Sequence, residues 1–329
     1  MRSAFVEHGI GETRAIVVAD GAIVEAHIER DPDVGGGWRA GDVRDVRLTR
    51  ILVSGVRGIV MADGIEALVS PLPTRLTEGI TLRVRVIREA LTETGRQRLA
   101  KAVATTDAVG TGPVLVERLR ARGIGVMPSP SADYFEELGW SELVETAMTG
   151  VVTFPGGSLT ISPTPAMTVI DVDGDLAPVA LALASADVAA AAILRFDLTG
   201  SIGIDFPTVA DKAARRAVGE RLDAALPQPF ERTAVNGFGF VQIVRPRLRA
   251  SLIETLRAGR VATAALALLR TAERDGVGKT ALVASPTIID WLGDHRRLID
   301  ELARRRGGDI GLRGDPSSPM LTGHVAPFA

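Results

Sequence analysis

The sequence predicts a mixed α/β protein that carries a small OB-type β-barrel near its N-terminus. Three observations lead there. Five short runs within residues 43–104 alternate apolar with polar or cationic residues, the period of a half-buried strand. From residue 151 onward, apolar strands alternate with Ala-rich or charged helical stretches, the rhythm of an α/β sheet. A length of 329 residues with 46% hydrophobic and 24% charged residues allows two or three domains with real cores.

The elements follow in order. Residues 14–28 hold two apolar runs around Asp20-Gly21, a hairpin signal because a type I′ turn needs positive φ at both central residues. Gly35-Gly36-Gly37 ends this unit. Strands are expected at 43–50, 57–61, 65–69, 80–88 and 97–104, with Ala62-Asp63-Gly64 as one turn. Five such strands in so short a span suggest a closed barrel. Arg83, Arg85, Arg96 and Arg98 alternate with apolar residues and so are expected on its outer face. Helices are expected at 114–122 and 133–148. Then come strands 158–162 and 166–172, an Ala-rich helix 177–196, strand 201–206, helix 208–225 and strand 238–244. The final stretch reads as helix 260–274, strand 280–284, helices 287–292 and 294–306, and strand 309–313.

Composition excludes several chemistries. Without cysteine there is no disulfide framework, no Cys-based zinc site and no thiol nucleophile. The four histidines (His8, His27, His295, His324) lack ligand spacing. Gly276-Val277-Gly278-Lys279-Thr280 resembles the end of a P-loop, but Glu273 stands where its first glycine belongs, and a helix precedes it where a strand should. No Ser sits in a nucleophile elbow. The N-terminus has no apolar signal core, and the apolar stretch 176–194 contains Ser185 and Asp187, so it reads as a buried helix. A cytoplasmic protein with no membrane partner is expected. A net charge of −2 argues against strong non-specific nucleic-acid binding but leaves room for a local basic groove. Of the 38 basic residues only Lys101, Lys212 and Lys279 are lysines, so the positive charge is nearly all arginine, which suits phosphate contacts.

The carboxylates carry more information. Asp171 and Asp173 end one apolar strand at i and i+2, on the same side, and Asp205 ends another. Ligands bind at strand ends in α/β sheets. Converging carboxylates with no base beside them repel unless a cation joins them, and hard oxygen ligands suit Mg²⁺ or Mn²⁺. Strand-end solvation and helix N-capping are the alternative roles for such acids.

The surrounding residues carry a family resemblance. Pro155-Gly156-Gly157-Ser158-Leu159-Thr160-Ile161, then Ala166 through Thr168-Val169-Ile170-Asp171-Val172-Asp173, resembles the ribonuclease E/G segment that presents a first catalytic aspartate. Gly200-Ser201-Ile202-Gly203-Ile204-Asp205-Phe206 is similar to the strand that carries the second. Phe238-Gly239-Phe240 through Arg245-Pro246-Arg247-Leu248 and Ser251-Leu252 resembles a third motif, and the order is the family's. The resemblance implies an S1/OB-type RNA-binding barrel (38–104) inserted in a reduced RNase H-like part (1–37 and 105–150). A DNase I-like α/β nuclease domain (151–258) and a small α/β C-terminal domain (259–329) follow.

What the resemblance implies is a Mg²⁺-dependent (or Mn²⁺-dependent) endoribonuclease that hydrolyses single-stranded RNA to 5′-phosphate and 3′-hydroxyl ends. Asp171 and Asp205 would hold the metal, and Asp173 would orient Asp171 or join as a ligand. Arg83, Arg85, Arg96, Arg98, Arg245 and Arg247 are the candidate RNA contacts. The alternative is an RNA-binding protein that keeps the fold without turnover; a structural or assembly factor is a third. Longer relatives bind zinc through paired cysteines, but the matching stretch, Arg249 to Arg260, has neither Cys nor His, so no zinc is expected. The 5′-sensor segment is also missing, since only Thr105 to Gly112 is left for it. The chain departs from the family pattern at Asp173, where Asn is usual, at Gly237, where Arg is, and at Ile59 and Met61, where a stacking Phe is expected. A homo-oligomer is left open.

Overall fold

The computed structural model describes residues 2–35, 37–93 and 96–328; Gly36 lies outside them. Strands β1 (Ser3–His8), β2 (Glu12–Ala19) and β3 (Ala22–Arg30) form an antiparallel meander. The β2–β3 turn is the expected one, with positive φ at both Asp20 (51°) and Gly21 (78°). A barrel then begins with β4 (Val43–Val53), β5 (Arg57–Ala62), β6 (Ile65–Val69) and β7 (Thr81–Arg88). Here the sequence expectation needs correcting. Residues 97–104 are not one strand. Strand β9 (Arg96–Arg98) pairs with β8 (Leu91–Glu93) in a separate ribbon, and only β10 (Ala100–Ala104) joins the barrel. The adjacent apolar pair Leu99-Ala100 breaks the alternation where the chain changes partners, a local signal that the single-strand reading passed over. The barrel closes in the order β10-β6-β5-β4-β7, around Trp38, Leu48, Val60, Val69, Val84 and Val86.

After the barrel, α1 (Leu115–Ala121) leads to β11 (Gly125–Pro128), which returns to pair in parallel with β1. The barrel is thus an insertion between β3 and α1. The expected helix 133–148 is two, α2 (Tyr134–Glu137) and α3 (Trp140–Thr149), because Gly139 at φ 86° breaks it. Arg14 lies almost fully buried between the rings of Phe135 and Trp140 and pairs with Glu7 at 2.6 Å. Burial pulls the Arg14 guanidinium down to about 10.

The second sheet runs β12 (Val151–Phe154), β13 (Gly157–Pro163), β14 (Thr168–Gly174), β15 (Gly200–Asp205), β17 (Phe240–Arg245) and β16 (Glu231–Arg232) in spatial order. Helix α4 (Pro178–Arg195) crosses from β14 to the parallel β15, and α5 (Lys212–Ala225) packs beside it. Helix α4 has the length and apolarity of a membrane span. In this fold it is the core helix, with Leu181, Ala186, Ala189 and Ile193 packed with Leu159, Ile170, Ile202 and Ile204 of the sheet.

The remainder comprises α6 (Leu252–Ala258), α7 (Arg260–Arg274), β18 (Thr280–Ala284), α8 (Pro286–Asp294), α9 (Arg296–Arg306), β19 (Ile310–Gly314) and β20 (Gly323–Pro327). Its three strands lie in the order β19-β18-β20. The P-loop-like residues 276–280 connect α7 to β18, the wrong order for a phosphate cradle. This part packs against the N-terminal meander. Ile10 and Val34 enter its core, and a Cβ on Gly11 would meet Leu266 at 2.8 Å and Leu298 at 3.1 Å. Glu12–Arg270 (2.5 Å) and Glu7–Arg274 (3.1 Å) pair across the junction.

Candidate active site

Strand β14 buries Ile170 and Val172 against the helix layer, so Val169, Asp171 and Asp173 face the other way. Strand β15 buries Ile202 and Ile204, so Ser201, Gly203 and Asp205 share that second face. Asp171 and Asp205 are direct partners in the parallel β14–β15 register, which sets their strands about 4.8 Å apart. Asp171, Asp173 and Asp205 are all exposed. Among the described residues no cation pairs with any of the three. Partial burial, then the charges of Asp173 and Asp205, push the Asp171 carboxyl above the ordinary carboxylate range. The trio is therefore an uncompensated cluster of negative charge on an open sheet face.

The donor set fits one kind of metal. Among the described residues, no group of three or more His, Cys, Asp or Glu side chains is arranged to hold an ion. Two adjacent carboxylates are instead what Mg²⁺ accepts, since it keeps several waters and completes its shell from substrate phosphate. The third acid, Asp173, stands on the same face and opposite Ser158 of β13.

Sequence similarity places the chain. A model of the ribonuclease E/G family matches residues 65–248, more than half of the molecule and all of the carboxylate-bearing sheet. The chain belongs to the ribonuclease E/G family. No curated protein matches it.

Relative to the carboxylates of this ribonuclease E/G chain, the arginines singled out from sequence fall into three places. Arg83 and Arg85 do point out of the barrel, alternating with buried Val84 and Val86. Both are engaged there: Arg83 with Asp45 (2.8 Å) and the Asp107 carbonyl (3.1 Å), and Arg85 with the Asp107 carboxylate. Arg96 and Arg98 lie on the ribbon, not on the barrel. The side chain of Arg96 lies outside the described residues, and Arg98 donates to the Pro165 carbonyl (3.3 Å) in the turn before β14. Arg245 and Arg247 sit at the far end of β15 from Asp205, since Gly200 pairs with Arg245. Five residues of strand separate them, about 16 Å. Arg247 pairs with Glu254 (2.6 Å), and Arg245 donates to the Leu198 carbonyl (2.9 Å). These two hold helix ends in place, away from the scissile site expected at Asp171 and Asp205.

Sequence reasoning missed one feature of the family chain. A turn, Asn236 to Gly239, leads into β17 beside the end of β15: the Asn236 carboxamide oxygen accepts from the Phe238 and Phe240 amides (2.9 and 3.0 Å). It presents Phe238 at 81% exposure, beside the end of the strand that carries Asp205. Asn two residues before Phe is an Asx-turn signal that was there to be read.

Proposed function

We propose that this chain is a Mg²⁺-dependent endoribonuclease, with Mn²⁺ an acceptable substitute, that cuts single-stranded RNA to leave 5′-phosphate and 3′-hydroxyl ends. One observation carries the reading: Asp171 and Asp205 are register partners on adjacent parallel strands, with no cation paired to either among the described residues, inside the segment that matches the family. Asp171 and Asp205 would hold the ion. When bound, it supplies Lewis acidity toward the scissile phosphate and its attacking water. Asp173 orients Asp171 or shares the ion. The open sheet face leaves room for an extended strand to lie across the carboxylates.

The five-stranded barrel supports RNA binding. Its closed order, with β10 parallel to β6, supports reading it as an OB-type barrel, a fold used for oligonucleotides. On this reading it is the S1-type barrel inserted in the reduced RNase H-like part, ahead of the DNase I-like nuclease domain and the small C-terminal domain.

The test is a cleavage assay on an A/U-rich single-stranded RNA with Mg²⁺. Wild type should cut, and Asp171→Asn or Asp205→Asn should lower the rate by about 100-fold or more while leaving RNA binding nearly unchanged, because binding rests on other residues. Wild-type turnover by either single variant would overturn the assignment. A second reading, an RNA binder without turnover, is favoured by the absence of a third converging ligand among the described residues. It predicts a shifted but uncut RNA at every Mg²⁺ concentration.

A further inference from the structure

A cavity of about 900 Å³ opens where β3, α1, the α4–β15 turn, residues 227–229 and residues 245–249 meet. It lies at the end of β15 opposite the carboxylates, so it is separate from the proposed cleavage site. Five arginines line it: Arg2, Arg118, Arg122, Arg245 and Arg249. The lining acids are Glu25 and Asp197, and His27 stands between them, 3.2 Å from Glu25 and 3.6 Å from Asp197.

The charges do not cancel. Glu25 is saturated by a two-point contact from Arg122 (2.6 and 2.7 Å), with Arg2 at 3.6 Å. Arg118 turns to Glu29 (2.6 Å), outside the cavity lining. Arg245 and Arg249 feel the charge of Asp197 but hydrogen-bond to no carboxylate among the described residues. Each has a buried Nε–H with no acceptor. Arg245 keeps its one bond to the Leu198 carbonyl, and the nearest carboxylate to Arg249 is Glu89, at 3.8 Å. Burial lowers the pKa of both guanidinium groups. A buried cation with unmet donors is costly unless an anion meets it. Leu115, Pro227, Pro229 and Leu248 form an apolar stretch of the remaining wall, with Thr199 and Gln228 beside it.

We propose that this cavity is a binding site for a nucleoside phosphate. The phosphate lies against Arg245 and Arg249, in the fork geometry that guanidinium groups offer phosphate. The nucleoside lies along the proline and leucine wall. The same phosphate chemistry is offered by a free nucleotide or by the backbone of an RNA strand, and the proposal commits to the free nucleotide as a ligand distinct from the RNA being cut.

The test is calorimetric titration of the full chain at low salt, without divalent metal. One arm uses nucleoside mono- and diphosphates, another inorganic phosphate, and a third a ten-residue oligoribonucleotide without terminal phosphates. Nucleotide should bind more tightly than inorganic phosphate and be displaced by it. Arg249→Gln and Arg245→Gln should each weaken nucleotide binding about tenfold or more, with Asp171→Asn binding as wild type. Three results would overturn the proposal: no heat from nucleotide at millimolar concentration; nucleotide affinity unchanged in both glutamine variants; or loss in those variants of oligoribonucleotide binding alone. If a glutamine variant does not fold, Arg249→Lys and competition by phosphate on the wild type decide the matter. Binding that survives Arg249→Lys at wild-type strength and resists phosphate counts against it.

Discussion

At the scale of residues, the carboxylate trio stores repulsion that the apo protein does not relieve. Partial burial, and after it the neighbouring charges of Asp173 and Asp205, raise the Asp171 carboxyl above its ordinary value. Replacing Asp171 with Asn should stabilise the protein while disabling cleavage. In EDTA a gain of about 1 kcal/mol is expected, read as a rise in Tm of about 2–3 °C; a lower Tm would contradict the repulsion. His27 provides a second prediction. Burial alone would depress it, but the facing carboxylates of Asp197 and Glu25 outweigh burial and raise its pKa above 6.5. Burial would likewise raise Glu25 and Asp197, yet His27 with Arg122, and His27 with Arg249 and Arg245, bring them to about 2 from 4.5 and 3.8. The signs differ. The stability contributed by the two acids is present above their ordinary values and is lost as pH falls toward 2. That of His27 is present below 6.5 and is lost as pH rises through its higher folded value. Stability should therefore peak between about pH 5 and 6.5. Tm measured against pH should show His27→Gln flattening the alkaline-side decline; an unchanged slope would refute the role given to His27. The acids at 171 and 205 were legible because each ends an apolar run. The Glu25–His27–Asp197 cluster was not, because some 170 residues separate its members and no spacing rule reaches that far.

At the scale of elements, the turn that leads from β16 into β17, beside the end of β15, is a tightly constrained piece near the site. Gly239 has φ 96°, and a Cβ there would collide with the Phe206 carbonyl oxygen and meet that of Pro207 at 2.7 Å. Gly239→Ala should cost about 1–3 kcal/mol and shift the strand end that carries Asp205. Its cleavage rate should drop more than its folded fraction, which circular dichroism and a parallel rate measurement can separate. Elements of this kind show what pattern reading can and cannot do. The barrel strands and α7 were readable because their periodicity is strong, and α7 spans the residues expected of it. Strands β1, β12 and β20 were missed: they are short, and pairing rather than pattern makes them strands. Helix α6 was also missed although Ser251 and Glu254 form a capping box, with Ser251 accepting from the Glu254 amide at 3.2 Å. The break at Leu99 is marked locally by the adjacent apolar pair Leu99-Ala100, but which sheet each side joins depends on its partner strand.

At the scale of the whole molecule, the ends of the chain are tied together. Glu12 is nearly inaccessible and meets Arg270 at 2.5 Å and Arg30 at 3.9 Å. Removing Arg270 leaves the Glu12 charge with only the longer contact. Arg270→Ala should destabilise by about 3 kcal/mol, measured by urea unfolding, and Glu12→Gln in the same chain should recover part of the loss. If the double variant is as unstable as the single one, the pair is not what joins these parts.

The seat of Gly11 has a further consequence, for synthesis. The meander is made well before the leucines that cover Gly11, Leu266 and Leu298, which lie 255 and 287 residues downstream. Emerging at about 5–20 residues per second, they arrive tens of seconds later. Until then the nascent chain carries an apolar notch and two acids, Glu7 and Glu12, without their distant arginines. The interval before α7 and α9 leave the ribosome is thus a time when the meander is exposed to chaperone capture or misassembly, and a slower elongation rate would lengthen it.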